Sequence, residues 1–151
     1  MDTHRHWMEH ALEEAGAAAE AGDVPVGAVI VRDDTIVARG RNRVEERCDP
    51  TAHAERLAIT AACEALGTPH LTDCTLYVTL EPCPMCAGAI VLARLGRLVF
   101  GALDEKSGAA STLYAIPRDH RLNHQVDILS GVEADRAGTL LKQFFAVRRD
   151  T

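Results

Sequence analysis

The sequence is poor in aromatic residues and has no long apolar segment. Aromatic side chains make up 4% of the 151 residues, which argues against a protein that stacks successive bases along an open surface. No apolar run approaches the roughly 20 residues that a membrane-spanning helix needs. The first residues lead into an acidic helical segment and not into an apolar one, so they do not resemble a secretory signal. We therefore expect a protein without membrane contact.

The number of cysteines is odd. Two of the five cysteines, Cys83 and Cys86, have the Cys-x-x-Cys spacing, whereas Cys48, Cys63 and Cys74 have no comparable partner. An odd count that includes a candidate metal pair does not fit a disulfide scaffold. We expect a reducing, cytoplasmic setting.

The net charge of −6 disfavours a nucleic-acid partner, but the charge is unevenly distributed. Residues 1–34 contain eight acidic and two basic residues, while the remaining 117 residues contain 14 of each. The stretch from Arg136 to Arg149 carries four basic residues and no acidic one. That stretch is equally consistent with the solvated end of a helix and with a surface that contacts phosphate.

Hydrophobic periodicity predicts one alternating α/β domain over residues 1–151, without repeats. Helices are predicted at 2–21, 53–66, 84–95 and 133–149. Strands are predicted at Val26–Val31 and Thr35–Arg39, joined by a hairpin at Asp33-Asp34, and at 75–80, 97–103 and Gln125–Leu129. Residues 105–124 are predicted to be mostly loop, with a short turn at Leu113–Ile116. The strand–helix–strand order of 75–103 implies a parallel pair. The expected fold is therefore a three-layer α/β/α sandwich around a five-stranded mixed sheet.

Four residues predict the chemistry. His53, Cys83 and Cys86 are zinc ligands by type, and Glu55 stands two residues after the histidine. Three protein ligands leave the fourth position of Zn²⁺ open for water, whose pKa then falls to roughly 7. Glu55 is placed to carry a proton from that water to a leaving group. The order H-x-E followed by P-C-x-x-C is the signature of zinc nucleobase deaminases.

The spacing of the two cysteines suits a helix N-terminus, although the Cys-x-x-Cys motif also has simpler interpretations. Cys83 and Cys86 are three residues apart, which puts both thiols on one face of a first helical turn, with Pro82 at its entry. A Cys-x-x-Cys pair alone is also typical of redox proteins. A closed structural zinc site would need a fourth ligand, and no cysteine has the spacing for one.

The chain resembles the bacterial tRNA-specific adenosine deaminases of the cytidine deaminase-like superfamily. The resemblance extends from about Val24 to Arg149 and rests on these segments: Val24–Val31, Asn42, Asp49–Glu55, Leu76–Ala89, Phe100–Ala102, Asp104–Ala109, Leu122–His124 and Phe144-Phe145. The zinc motif alone marks the superfamily, and the later segments point to the tRNA branch.

The resemblance implies a homodimer that converts adenosine to inosine by hydrolysis at the wobble position of a tRNA anticodon. It implies that His53, Cys83 and Cys86 hold one Zn²⁺ and that Glu55 shuttles the proton. The resemblance also implies that Asn42 hydrogen-bonds the flipped base and that Asp104 and Lys106 contact the RNA that flanks it. A C-terminal helix with Phe144, Phe145 and Arg148 would line the groove for the anticodon loop. Since adjacent helical positions diverge, we expect one phenylalanine to be buried and the other to lie near the ligand. The segment Ser111–Ala115 departs from the family pattern.

Three alternatives remain open. A deaminase of free guanine, cytosine or a nucleoside would share the metal chemistry and differ only at the rim of the pocket and in the C-terminal helix. A non-catalytic zinc module that binds RNA is disfavoured, since it has no use for Glu55. A redox protein would lack zinc and oxidise Cys83 and Cys86 to a disulfide.

Overall fold

The computed structural model describes residues 2–149, which form a five-stranded mixed sheet with helices on both faces. The elements in chain order are α1 (Asp2–Glu20), β1 (Gly27–Arg32), β2 (Thr35–Arg41), α2 (Val44–Arg47), α3 (Ala54–Leu66), β3 (Thr75–Leu80), α4 (Pro84–Leu92), β4 (Arg97–Ala102), a 3₁₀ turn (Ile116–Arg118), β5 (Asp127–Leu129) and α5 (Ala134–Arg149). The strand order is β2-β1-β3-β4-β5. β1 is antiparallel to β2 and β3, and β3, β4 and β5 run parallel. The predicted α/β/α sandwich is confirmed.

Each face of the sheet has its own core, because successive strand residues point to opposite faces. One core lies beneath α3 and α4 and contains Ala28, Ile30, Leu76, Val78, Leu98 and Phe100 from the strands. The other lies beneath α1 and α5 and contains Val29, Val31, Tyr77 and Val99. Within residues 2–149, no helix combines the length and apolar character that crossing a bilayer requires.

Two glycines let the helices approach the sheet closely. A Cβ at Gly27 would overlap the backbone of Ala11 and Ala15 in α1, and one at Gly40 would overlap the backbone of Ala54 in α3. Only glycine allows this contact, which fixes the start of α3 against β2. The start of α3 is where the histidine of the motif lies.

Some boundaries differ from the prediction for identifiable reasons. The hairpin is confirmed, with Asp33 and Asp34 both in the left-handed region that a two-residue connection needs. α4 ends at Leu92 and not at residue 95, and Arg94 just beyond it adopts a left-handed conformation (φ 55°). The short helix α2 was not predicted. The backbone N–H groups of Glu45 and Glu46 donate to the carboxylate of Asp23, which is distant in the sequence. No capping residue next to the helix therefore marks where it begins.

Candidate metal centre and its cleft

The three candidate ligands converge at the starts of two helices. His53 is the N-cap of α3 and Cys83 is the N-cap of α4, both in extended conformations, while Cys86 lies within the first turn of α4. Pro84 occupies the first position of α4, so the prediction that Pro82 enters this helix is wrong. Since helix N-termini favour negative charge, this position suits the Cys83 thiolate.

The distances among these atoms fit a tetrahedral metal ion. Nδ1 of His53 lies 3.5 Å from Sγ of Cys83 and 3.6 Å from Sγ of Cys86. At the usual zinc bond lengths, a nitrogen and a sulfur ligand of one tetrahedral ion are about 3.5 Å apart. Within residues 2–149, no other group of three or more histidine, cysteine or acidic side chains converges in this way.

The two thiols share one proton in the metal-free protein. The hydrogen bond from the Cys86 thiol lowers the pKa of Cys83 to about 4. The same hydrogen bond, together with burial, raises the pKa of Cys86. Cys83 is therefore already a thiolate, the form that binds a metal, at neutral pH.

Glu55 lies in the same pocket and is not one of the converging ligands. Its side chain is buried, at 4% exposure, in the first turn of α3. Burial raises the pKa of its carboxyl to about 7. A carboxyl with this pKa exchanges protons readily near neutral pH, which is the property required of a general acid/base.

A cleft of about 340 Å³ opens above these residues and is large enough for a nucleobase. Four of the five residues predicted to bind substrate line it together with His53, Glu55 and Cys83: Asn42, Asp104, Phe145 and Arg148. Lys106, the fifth, is exposed on the adjoining loop and is not among the described residues that line the cleft. The structure therefore gathers most of the predicted site in one place.

The aromatic pair on α5 differs from the prediction. Neither phenylalanine is buried: Phe144 is half-buried, Phe145 is 45% exposed, and both line the cleft. Their rings meet edge to face with centroids 5.5 Å apart. Both can reach the cleft because it runs along the side of α5. The Arg148 guanidinium lies 4.0 Å from the centre of the Phe144 ring and donates to the Gly22 carbonyl.

Two buried carboxylates at the cleft were not predicted from the sequence. Asp23 caps α2, as described above, and Glu81 accepts hydrogen bonds from the loop that follows β4. Both partners are distant along the chain, so no local pattern marks them. The one feature of the sequence that could have pointed to Glu81 is its position directly before Pro82 and Cys83.

Comparisons with known proteins agree with this geometry. The family model of the MafB19-like deaminases matches residues 2–149. The tRNA-specific adenosine deaminase of Bacillus subtilis (strain 168) is 50% identical over 139 residues, covering 92% of this chain and 86% of the relative. A solved structure from studies of A-to-I editing by tRNA:A34 deaminases is 46% identical, with a TM-score of 0.87 over 90% of this chain and 99% of the other.

A more distant structural neighbour has a different substrate. It is the guanine deaminase from Nitrosomonas europaea, at 26% identity and a TM-score of 0.81 over 94% of this chain and 84% of the other. Fold and site together define a nucleobase deaminase. By its family-model match and its close relatives, the chain belongs to the tRNA-specific adenosine deaminases, among the MafB19-like deaminases.

Proposed function

We propose that this protein hydrolyses adenosine to inosine at the wobble position of a tRNA anticodon. The observation that carries the proposal is the placement of Glu55 beside the ligand set His53, Cys83 and Cys86, at the floor of a cleft of about 340 Å³. The 50% identity to a tRNA-specific adenosine deaminase supports the choice of substrate.

Zinc is the metal that the three ligands fit best. One nitrogen and two sulfur ligands in a near-tetrahedral arrangement suit Zn²⁺, with one coordination position left open. Zinc held by His53, Cys83 and Cys86 would lower the pKa of water enough to supply a hydroxide nucleophile for C6 of adenine near neutral pH.

Glu55 is the proposed proton carrier. In the reaction, one proton passes from the attacking water to the purine ring, and another reaches the amino group that leaves as ammonia. The raised pKa of Glu55, about 7, allows its carboxyl to accept and donate these protons in turn. Its burial keeps bulk water away from the exchange.

Asn42 and the α5 phenylalanines are proposed to position the base. The Asn42 side-chain oxygen accepts a hydrogen bond from the backbone N–H of Ala54 at 2.9 Å. This contact fixes the amide and leaves its nitrogen as a donor for an acceptor atom of the purine. Phe144 and Phe145 provide aromatic surface along one wall of the cleft. An unstacked base can be held against such a surface.

The rim of the cleft is proposed to contact the RNA around the base. Lys106 is exposed on the loop after Asp104, and Arg148 lies at the opposite wall. Asp104 also has a local role, since its carboxylate accepts from the backbone N–H of Lys106 and from the Ser107 hydroxyl. Arg136 does not belong to this surface, because it forms ion pairs with Glu9 and Glu133.

We further propose that the protein acts as a homodimer in the cytoplasm. α4 contains no charged residue, and its ends expose Met85 (36%) and Leu92 (81%). Leu113 and Tyr114 are exposed on the loop before the 3₁₀ turn that packs against α4. A helix that is apolar on every side is normally covered on every side, and a second copy would cover this one. The five free cysteines suit a reducing compartment.

The test compares substrates under one set of conditions. An anticodon stem-loop with adenosine at the wobble position, free adenosine, guanine and cytidine are each incubated with the zinc-loaded protein. We expect inosine in the stem-loop, with a kcat/KM far above that for any free base or nucleoside. Faster turnover of guanine than of the stem-loop would replace the proposal with the free-base deaminase that the Nitrosomonas europaea neighbour exemplifies.

A further inference from the structure

Glu81 ties the loop at the rim of the cleft to the metal centre. Its carboxylate is buried, at 2% exposure, just after β3 and two residues before Cys83. The groups that donate to it all come from residues 104–112: the backbone N–H groups of Asp104 (3.0 Å), Ala110 (3.1 Å), Ser111 (2.8 Å) and Thr112 (3.0 Å), and the Thr112 hydroxyl (2.5 Å).

These five donors match an ionised carboxylate, which accepts hydrogen bonds at both of its oxygens and has no proton to donate. Hydrogen bonds to an ionised acceptor are about twice as strong as neutral ones. One buried anion therefore organises a loop that has no regular secondary structure between β4 and the 3₁₀ turn.

The loop is also packed directly on this segment. The backbone N–H of Ala109 donates to the Pro82 carbonyl at 2.8 Å. A Cβ at Gly108 would overlap the Glu81 carboxylate and the Asp104 carbonyl, so only glycine fits there. The loop thus contacts Glu81 and Pro82 immediately before the chain reaches Cys83.

We propose that Glu81 is a positioning residue that sets the 104–112 loop for RNA binding. The carboxylate binds Asp104 at one end of the loop and residues 110–112 at the other, and Lys106 lies between the two ends. Because only one proline separates Glu81 from Cys83, the position of the loop is fixed relative to the metal centre. The inference rests on the proposed function, since the ligand that residues 104–112 would contact is the single-stranded anticodon loop of the RNA.

The test replaces Glu81 by glutamine in the zinc-loaded protein. Glu81→Gln keeps the shape, but it turns one oxygen into an NH₂ group that faces N–H donors. We expect zinc content to be unchanged and KM for the anticodon stem-loop to rise about 10- to 100-fold, the equivalent of one charge-assisted hydrogen bond. The value of kcat should change much less. Amide hydrogen exchange should accelerate at residues 104–112 and not in α3 or α4.

A matched pair of variants covers the case in which Glu81→Gln folds poorly. Thr112→Val removes a hydroxyl that bonds Glu81, whereas Thr60→Val makes the same change at an exposed position on α3, outside the 104–112 loop and the cleft. We expect KM to rise at least about threefold for Thr112→Val and to stay at the wild-type value for Thr60→Val.

The outcomes separate this inference from the proposed function. Absence of wild-type turnover on the stem-loop would contradict the proposed function. Wild-type turnover with an unchanged KM and unchanged loop exchange in Glu81→Gln would overturn the role of Glu81. Equal KM values for Thr112→Val and Thr60→Val would overturn it as well.

Discussion

Replacing Glu55 by glutamine should lower kcat by orders of magnitude and stabilise the metal-free fold above neutral pH. The glutamine fills the same buried space but cannot carry a proton. The other buried carboxylates at the cleft, Asp23 and Glu81, already accept backbone hydrogen bonds and cannot take over the role. We therefore expect kcat to fall to the full extent of general acid/base catalysis, about 10²- to 10⁴-fold, with zinc content unchanged.

The effect on stability follows from the raised pKa of Glu55. A carboxyl whose pKa rises on folding contributes stability at low pH and loses it as pH rises through the folded value. The rise from the ordinary 4.5 to about 7 corresponds to roughly 3 kcal/mol at about 1.4 kcal/mol per pH unit. In the metal-free protein, Glu55→Gln should match the wild type near pH 4 and exceed its stability by up to about 3 kcal/mol above pH 8.

The assay combines single-turnover inosine formation, zinc analysis, and urea unfolding of the metal-free proteins at both pH values. Activity within tenfold of the wild type would show that Glu55 is not the proton carrier. If the stability difference between the variant and the wild type did not depend on pH, the Glu55 carboxyl would not have the raised pKa that its burial requires. Loss of zinc from the variant would make Glu55 a ligand instead.

Two further predictions concern the surface. Lys106→Ala should weaken stem-loop binding at low salt and reduce the slope of log affinity against log salt by roughly one unit. The same change at the chain's other lysine, Lys142→Ala, should leave affinity and slope unchanged. Equal slopes for the two variants in filter binding would show that Lys106 does not contact the RNA. Leu92→Arg should convert the proposed dimer to a monomer in analytical ultracentrifugation. Val147→Arg, at another exposed apolar position, on α5, should leave it a dimer. A dimeric Leu92→Arg protein would exclude α4 from the interface.

The regular elements were predictable from the sequence because their signals are local. Short apolar, β-branched runs indicated the strands, and the Asp33-Asp34 connection indicated the hairpin. The order of His53, Glu55, Cys83 and Cys86 gave the candidate metal centre. The convergence of these side chains also agrees with a general rule, since ligands in α/β sheets bind at the carboxyl ends of strands.

The rest of the cleft was not predictable because it depends on contacts between distant residues. The roles of Asp23 and Glu81 come from backbone N–H groups more than twenty positions away. The side-by-side placement of Phe144 and Phe145 depends on the angle at which the cleft passes α5. The basic stretch from Arg136 to Arg149 looked uniform in the sequence, but the structure pairs Arg136 with Glu9 of α1.

The central claim is that a zinc centre in this cleft deaminates a wobble adenosine. The most direct measurement removes the metal with a chelator, returns zinc in steps, and quantifies inosine in an anticodon stem-loop by mass spectrometry. We predict that inosine appears only at the wobble position and that activity saturates at about one zinc per chain. Undiminished activity without zinc, or saturating zinc with no inosine in the RNA, would contradict the account.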